Sequence, residues 1–222
     1  MVVLATKVYV AGGARDRALD SLDSVVDNAI GDLDVEWTIG LRHDDFPSVT
    51  VEGPDKTAAQ NVLRDEWGEI TTGFEAGETY VGTLDSWDDD GFVLDAGDAV
   101  RIPRSELGLG AGTPEQIRTR LGLVQHMPLR FTYGDPPRLA DEERDRLYDW
   151  TREETGRVNV NSATRAEVRS TVNRAGHAND IVTVERLGLL EQSIVCAEGT
   201  DPPGLLASIG SHLKSELLAV VP

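Results

Sequence analysis

Cysteine is nearly missing from this chain, with Cys196 the only one in 222 residues. A single thiol excludes an internal disulfide framework and a zinc site built from cysteines. Lysine is almost as scarce: Lys7, Lys56 and Lys214 stand alone among 21 basic residues. Aromatic residues make up only 5% of the chain, so each one placed near a turn or strand carries weight. No apolar run approaches the roughly 18 residues that a membrane-spanning helix needs. The opening Met1–Lys7 lacks a basic region followed by a long apolar one, so no secretory signal is expected. Together these absences point to a cytoplasmic protein with no membrane partner.

Acid is abundant instead. There are 39 Asp and Glu against 21 Lys and Arg, for a net charge of −18. An acidic surface with lysine nearly eliminated resembles archaeal proteins of salt-in halophiles, whose cytosol holds molar KCl. At 1 M salt the screening length is about 3 Å, so long-range repulsion does not exclude a nucleic-acid partner there. The distribution is more informative than the total. Residues 1–76 hold 15 acids and 6 bases, and residues 77–100 hold 7 acids and no base. Residues 101–134 reverse the balance with Arg101, Arg104, Arg118, Arg120 and Arg130 against Glu106 and Glu115. Six further arginines lie in residues 151–186.

A hydrophobic content of 40% over this length supports two or three compact units. In residues 1–76, Thr6–Ala11 reads as a strand and Asp16–Ile30 as a helix, with Leu19, Leu22, Val25, Val26, Ala29 and Ile30 at helical spacing. Glu36–Leu41 and Val49–Glu52 form a hairpin, Pro54 opens a helix ending near Trp67, and Ile70–Phe74 is a last strand. Residues 157–222 repeat the plan. Arg157–Asn161 is a strand, and Thr164-Arg-Ala-Glu167 is a capping box for a helix to Ala175. Ile181–Leu187 and Ser193–Ala197 are strands, a helix covers about Gly204–Leu213, and Leu217–Val221 closes the sheet. Both ends therefore predict ferredoxin-like βαββαβ modules. A helical linker, residues 135–156 with its helix over Asp141–Glu154, precedes the second one.

Residues 77–134 differ in kind. The run Gly77–Leu107 places strands at Tyr80–Leu84, Gly91–Asp95 and Ala99–Pro103, separated by turns at Asp88–Asp90 and Gly97-Asp98. Thr113-Pro114-Glu115-Gln116 caps a short helix over 114–121, and Leu129–Tyr133 supplies a closing strand. Short alternating strands punctuated by Asp and Gly are the mark of a small antiparallel barrel. The order of glycine, small strand, aspartate-rich turn, Gly-Phe-Val-Leu-Asp and Ile-Pro-x-Ser-Glu-Leu resembles the S1 type of OB-fold over residues 77–133. The resemblance implies RNA binding. The fold expected is thus α+β: an S1-like OB β-barrel with a short helical insertion, flanked by two ferredoxin-like modules.

Two stretches, Glu106-Leu-Gly-Leu-Gly-Ala-Gly-Thr-Pro-Glu-Gln-Ile and Arg186-Leu-Gly-Leu-Leu-Glu-Gln-Ser, resemble an archaeal family of unknown function. The layout of an S1 barrel joined through a helix to an α/β module is similar to the alpha subunit of archaeal initiation factor 2. A small α/β module before such a barrel is similar to the stalk subunit of archaeal RNA polymerase.

Candidate RNA-binding residues follow from chemistry. Trp87 and Phe92 flank the first barrel turn, where aromatic rings on OB-folds stack bases. The competing role is core packing for Phe92, while Trp87 beside three aspartates is expected to be exposed. Arg101, Arg104 and Arg130 offer planar guanidinium groups that grip phosphate or stack on bases even in high salt. Pairing with the Asp88–Asp90 turn is the competing role. Arg165, Arg169 and Arg174, with Asn173 and His177, recur along the C-terminal helix as an arginine-rich face, against the alternative of a merely solvated face.

Catalytic and metal signatures fail. The Asp85–Asp90 cluster lacks an EF-hand loop, and Gly108–Gly112 lacks the Lys-Ser/Thr of a phosphate loop. His43, His126, His177 and His212 show no paired spacing, and no Gly-x-Ser-x-Gly elbow exists. The expectation is a non-enzymatic protein without cofactor or metal. Its partners are RNA, rRNA above all, and ribosomal or other RNA-machinery proteins. The alternative is a protein-interaction adapter for transcription or RNA processing that uses its barrel and sheet edges.

Overall fold

A computed structural model describes residues 1–222. It is a mixed α+β structure with three antiparallel sheets, one of them a curled half-barrel. In the first part, β1 (Val2–Val3), β2 (Glu36–Leu41) and β3 (Pro47–Glu52) form a sheet of order β1-β3-β2. Helices α1 (Gly13–Ile30) and α2 (Lys56–Trp67) cover one of its faces. α1 buries Ala18, Leu22, Val26 and Ile30, a strict four-residue repeat that keeps one stripe on the sheet. Ala59, Leu63 and Trp67 do the same for α2, and Val49 and Val51 meet them from β3. The opposite sheet face leaves Glu36, Thr38, Thr50 and Glu52 exposed.

Two expected strands are corrected. Thr6–Ala11 is not a strand, because its polar groups bond to other parts of the chain. Thr6 Oγ1 accepts from the Leu189 N–H at 2.9 Å, and Lys7 Nζ pairs with Asp95 at 2.6 Å. Ile70–Phe74 is not a strand either. Only an isolated bridge, Leu4 with Glu69, stands in its place. Beyond it the chain turns away so that the Phe74 ring stacks on Tyr133 and meets Tyr80 edge-on, with centroids 5.0 Å apart in both pairs.

The half-barrel contains β4 (Thr79–Asp88), β5 (Gly91–Asp95), β6 (Ala99–Pro103), β7 (Pro128–Thr132) and β8 (Arg138–Leu139), in the order β6-β5-β4-β7-β8. The long β4 pairs with β7 along its first half and β5 along its second, with an irregularity between Leu84 and Ser86 that bends it. Gly91 holds φ +150°, and a Cβ there would sit 2.0 Å from the Ile102 carbonyl oxygen, so the close approach of β6 to the start of β5 requires glycine. β7 was expected to close the barrel. Instead the outer strands β6 and β8 do not pair. Helices α3 (Arg104–Leu107), α4 (Pro114–Leu121) and α5 (Asp141–Asp149) fill the gap with Leu107, Ile117, Leu121 and Leu147. The Thr113–Gln116 capping box starts α4 with Pro114 in its first turn. α5 stops at Asp149, earlier than expected, and Trp150 caps it while packing into the core.

The last part follows the order strand, helix, strand, strand, helix, strand. β9 (Arg157–Val160), β10 (Ile181–Arg186), β11 (Gln192–Cys196) and β12 (Leu217–Val220) form a sheet ordered β10-β11-β9-β12. α6 (Arg165–Arg174) and α7 (Pro202–Ile209) pack on it through Val168, Val172, Leu205 and Ile209. Reciprocal bonds between Thr164 and Glu167 cap α6.

The three parts share their interiors. Leu189 and Leu190, in the β10–β11 connection, are buried in the core beneath α1 and α2. Val220 of β12 is buried in the core of the half-barrel. Ion pairs Lys7–Asp95, Arg17–Glu167, Arg118–Glu216 and Arg186–Glu66 cross the same seams.

Candidate nucleic-acid interface

The aromatic pair that flanks the β4–β5 turn faces inward, while Asp88, Asp89 and Asp90 of the turn are exposed. Trp87 lies directly opposite Phe92 in the ladder, which places both side chains on one face of the sheet. Phe92 is fully buried, and Trp87 is half-buried against the same core. The Arg118 guanidinium lies 3.9 Å from the Trp87 ring centroid and covers it. Arg118 is itself only 6% exposed, held by the Leu123 carbonyl at 3.0 Å, Glu216 at 2.6 Å and Glu115 at 3.3 Å. Its hydrogen bonds also hold the Glu115 carboxyl below the ordinary carboxylate range. Trp87 is therefore not the exposed ring expected beside three aspartates, because a neighbouring helix supplies its cover.

Arg101 and Asp88 form a bidentate pair with N–O distances of 2.7 and 2.9 Å. The Arg101 hydrogen bonds keep the Asp88 carboxyl below its usual range, although both groups are exposed. Arg130 is exposed, 3.8 Å from the buried Glu143, at a polar cleft of about 440 Å³ shared with Arg64, Glu69 and Tyr80. Arg174 is exposed and donates to Thr171 Oγ1 at 3.3 Å. Arg104, Arg165 and Arg169 are exposed and make neither an ion pair nor a side-chain hydrogen bond. Every other arginine is engaged by a carboxylate, a carbonyl or a hydroxyl. Arg104 stands beside the acidic turn, its N–H bonded to the Asp90 carbonyl at 2.8 Å.

Arg165 and Arg169 sit one turn apart on α6 and face α1 across a groove of about 580 Å³. Arg17, Asp20, Ser21 and Val25 line its other wall, and Arg17 is tied to Glu167 at 2.7 Å. The structure thus brings Arg165 and Arg169 together. Arg101, Arg130 and Arg174 line three other clefts.

A buried polar cluster at the meeting of the three parts was not foreseen. The Tyr9 hydroxyl donates to Glu191 Oε1 at 2.7 Å and accepts from the Ser162 N–H at 2.8 Å. The His126 ring lies against Tyr9 with centroids 4.0 Å apart. Glu191 Oε2 and His126 Nδ1 are buried without partners. Burial pushes the Glu191 carboxyl up to about 8, and burial together with Glu191 raises the Tyr9 hydroxyl. Burial first and Lys7 second lower His126. One signal was available in the sequence: Glu191 follows the apolar run Leu187-Gly-Leu-Leu, where a carboxyl needs a specific partner. Cys196 is buried in the core of the last sheet, and burial lifts its thiol to about 11. No group of three or more His, Cys, Asp or Glu side chains is placed to hold a metal ion. No helix is long and apolar enough to cross a membrane.

No curated protein matches the chain. Family models match it in three consecutive pieces, the DUF2110 N-terminal domain at residues 1–73, central domain at 74–151 and C-terminal domain at 155–221. Together the three matches take in nearly the whole sequence, and the chain belongs to the DUF2110 family, whose function is unknown.

Proposed function

We propose that this protein binds RNA as part of the translation machinery, docking on a ribosomal subunit, and that the arginine edge of α6 makes the main contact. The observation that carries this reading is the pair Arg165 and Arg169, left without partners in a chain that engages nearly all its other arginines. An unpaired guanidinium can form short bidentate hydrogen bonds to phosphate without first breaking an ion pair. Arg104 adds a weaker contact, and the exposed Arg174 and Arg130, each held by a single partner, add others at separate clefts. Trp87, Phe92 and Arg101 move to supporting roles, because each is already packed or paired.

The fold reading that goes with this proposal takes the half-barrel as an S1-type OB-fold. It takes the β10-β11-β9-β12 sheet and its two helices as a ferredoxin-like module, and the first part as a reduced one with strand order β1-β3-β2. Structured RNA offers such modules helices to recognise by shape and backbone and single-stranded loops whose bases can stack. The acidic remainder of the surface matches a halophilic, archaeal cytosol, where screening within about 3 Å at 1 M salt mutes repulsion.

Sedimentation of a cell lysate in molar KCl tests the docking. The protein is expected to travel with a ribosomal subunit, and Arg165→Gln with Arg169→Gln is expected to return it to the top of the gradient. If the wild-type chain stays at the top in growing, stressed and stationary cells, ribosomal docking is wrong.

One observation favours a second reading as a protein adapter. The outer face of the first sheet exposes Glu36, Thr38, Thr50 and Glu52, and β2 is an edge strand free to pair. A basic partner protein would suit that face. Recovery of a protein partner that survives nuclease, with no RNA recovered, would favour this role over the first.

A further inference from the structure

Ser208, His177 and Asp180 form one hydrogen-bonded chain in the C-terminal part. Ser208 Oγ lies 2.7 Å from His177 Nε2, and His177 Nδ1 lies 2.6 Å from Asp180 Oδ2. A carboxylate only accepts, so Nδ1 carries the ring proton and Nε2 is left to accept from the Ser208 hydroxyl. These are the contacts that a serine nucleophile, a general base and an orienting carboxylate require of one another.

The base and its orienter are fixed by the backbone. His177 N–H donates to the Val172 carbonyl at 3.1 Å, and Asp180 N–H donates to the His177 carbonyl at 3.0 Å. The Asp180 carbonyl accepts from the Ala197 N–H at 2.9 Å and from Thr200 Oγ1 at 3.0 Å. Ser208 is exposed near the end of α7, so a substrate can reach it. A cleft of about 380 Å³ lies between α6 and the turn after α7, lined by Thr171, Arg174, Ala175 and His212. His212 follows Ser208 by four residues and Arg174 precedes His177 by three, so the cleft is lined from the same two segments that carry the serine and its base.

We propose that Ser208 is an activated nucleophile, with His177 as its base and Asp180 orienting the imidazole, and that it accepts the acyl group of small esters whose acyl chain carries an anion held by Arg174 and His212. This goes beyond the RNA-binding reading and does not rest on it. Ser208 Oγ bonds to the ester carbonyl carbon as its proton passes to His177 Nε2. The tetrahedral adduct collapses by breaking the bond to the leaving oxygen, which takes the proton back from Nε2. Water then releases the acyl group by the same relay, and nothing is oxidised or reduced.

The backbone limits the rate. Ser208 lies near the C-terminal end of α7, where the neighbouring N–H groups are used within the helix, as Gly210 N–H is by the Leu206 carbonyl. A lost oxyanion donor costs about 10²–10³ in rate, and acylation and release each pass through an oxyanion, so both steps are expected to be slow.

The full-length protein is treated with a fluorophosphonate probe, and separately with p-nitrophenyl hemisuccinate and p-nitrophenyl acetate. Ser208 is expected to label about 10²-fold faster than any other serine by mass spectrometry, in line with base assistance of 10²–10⁴. Ser208→Ala should abolish that labelling, and Asp180→Asn should slow it at least about tenfold without lowering the melting temperature. Arg174→Gln should remove a preference for the hemisuccinate over the acetate. Labelling of Ser208 at the rate of other serines, or at an unchanged rate in Asp180→Asn, would overturn the proposal and leave the three residues as a pin between α6 and α7.

Discussion

The first part of the chain follows the order of strands and helices of the last up to its second helix and then lacks the closing strand, and only the last is self-contained. The C-terminal sheet has four paired strands and a core drawn from its own residues. Its N-terminal counterpart has three strands and a single bridge at Leu4–Glu69, and its core is completed by Leu189 and Leu190 from the other end of the chain. Much the same order of elements can thus stand on its own interior or lean on a neighbour's. What separates the two here is a loop of a few residues. The leaning part is also where the buried carboxyl lies, because the same β10–β11 connection carries Glu191 against Tyr9.

The sharpest way to break that contrast is Leu190→Ala. Removing a fully packed leucine costs about 2–5 kcal/mol. Residue-resolved hydrogen exchange should show α1 and α2 losing protection while β9, β11 and α7 keep theirs. Equal loss in both parts would mean that the first does not depend specifically on the loop.

Glu191→Gln comes next. The Glu191 carboxyl titrates near 8 in the fold against an ordinary 4.5. Its contribution to stability is therefore full below pH 4.5 and is lost as pH rises towards 8. The glutamine variant should be more stable than wild type at pH 8, by on the order of a few kcal/mol, and should flatten the pH dependence between 5 and 8. Denaturant unfolding across that range checks both the sign and the slope.

Tyr9→Phe leaves Glu191 Oε1 without its donor and the Ser162 N–H without its acceptor, for an expected loss of about 1–3 kcal/mol by the same unfolding measurement. Thr164→Ala removes the cap of α6 from the self-contained part and should cost about 1 kcal/mol, visible mainly in that part's exchange. Arg101→Gln is expected to change thermal stability least of these in a melting experiment, since its pair with Asp88 is exposed.

Much of the half-barrel was legible because its signals are local. Gly91–Asp95, Ala99–Pro103 and the helix over 114–121 stand where turn residues and the Thr113–Gln116 box put them. The paired glycine and aspartate turns and the reciprocal cap act within four residues, which sequence patterns can register. Thr6–Ala11 and Ile70–Phe74 looked equally strand-like, but partners at Leu189, Asp95, Tyr80 and Tyr133 claimed them, and such partners leave no trace in periodicity. β8 has only two residues, too few for an alternating pattern to be seen.

The candidate site divides in the same way. The arginine face of α6 could be read from its spacing, whereas the pairing of Arg101 with Asp88 was only one of two roles its sequence allowed. The cover of Trp87 by Arg118 depends on where α4 packs, which no local signal specifies. Ser208 reaches His177 from 31 residues away because α7 docks beside the turn after α6, and Tyr9 reaches Glu191 across 182 residues. Contacts at that range belong to the tertiary fold.

The borrowed leucines also bear on how the protein is made. A ribosome delivers the chain from the N-terminus, so α2 has emerged in full long before Leu189 and Leu190 are added. At 5–20 residues per second, the interval between Trp67 and Leu189 lasts roughly 6–25 s. Through that time the apolar stripes of α1 and α2 have no complete interior to enter. The nascent first part is the stretch that a holding chaperone would be expected to engage, and its release would coincide with synthesis of the β10–β11 loop.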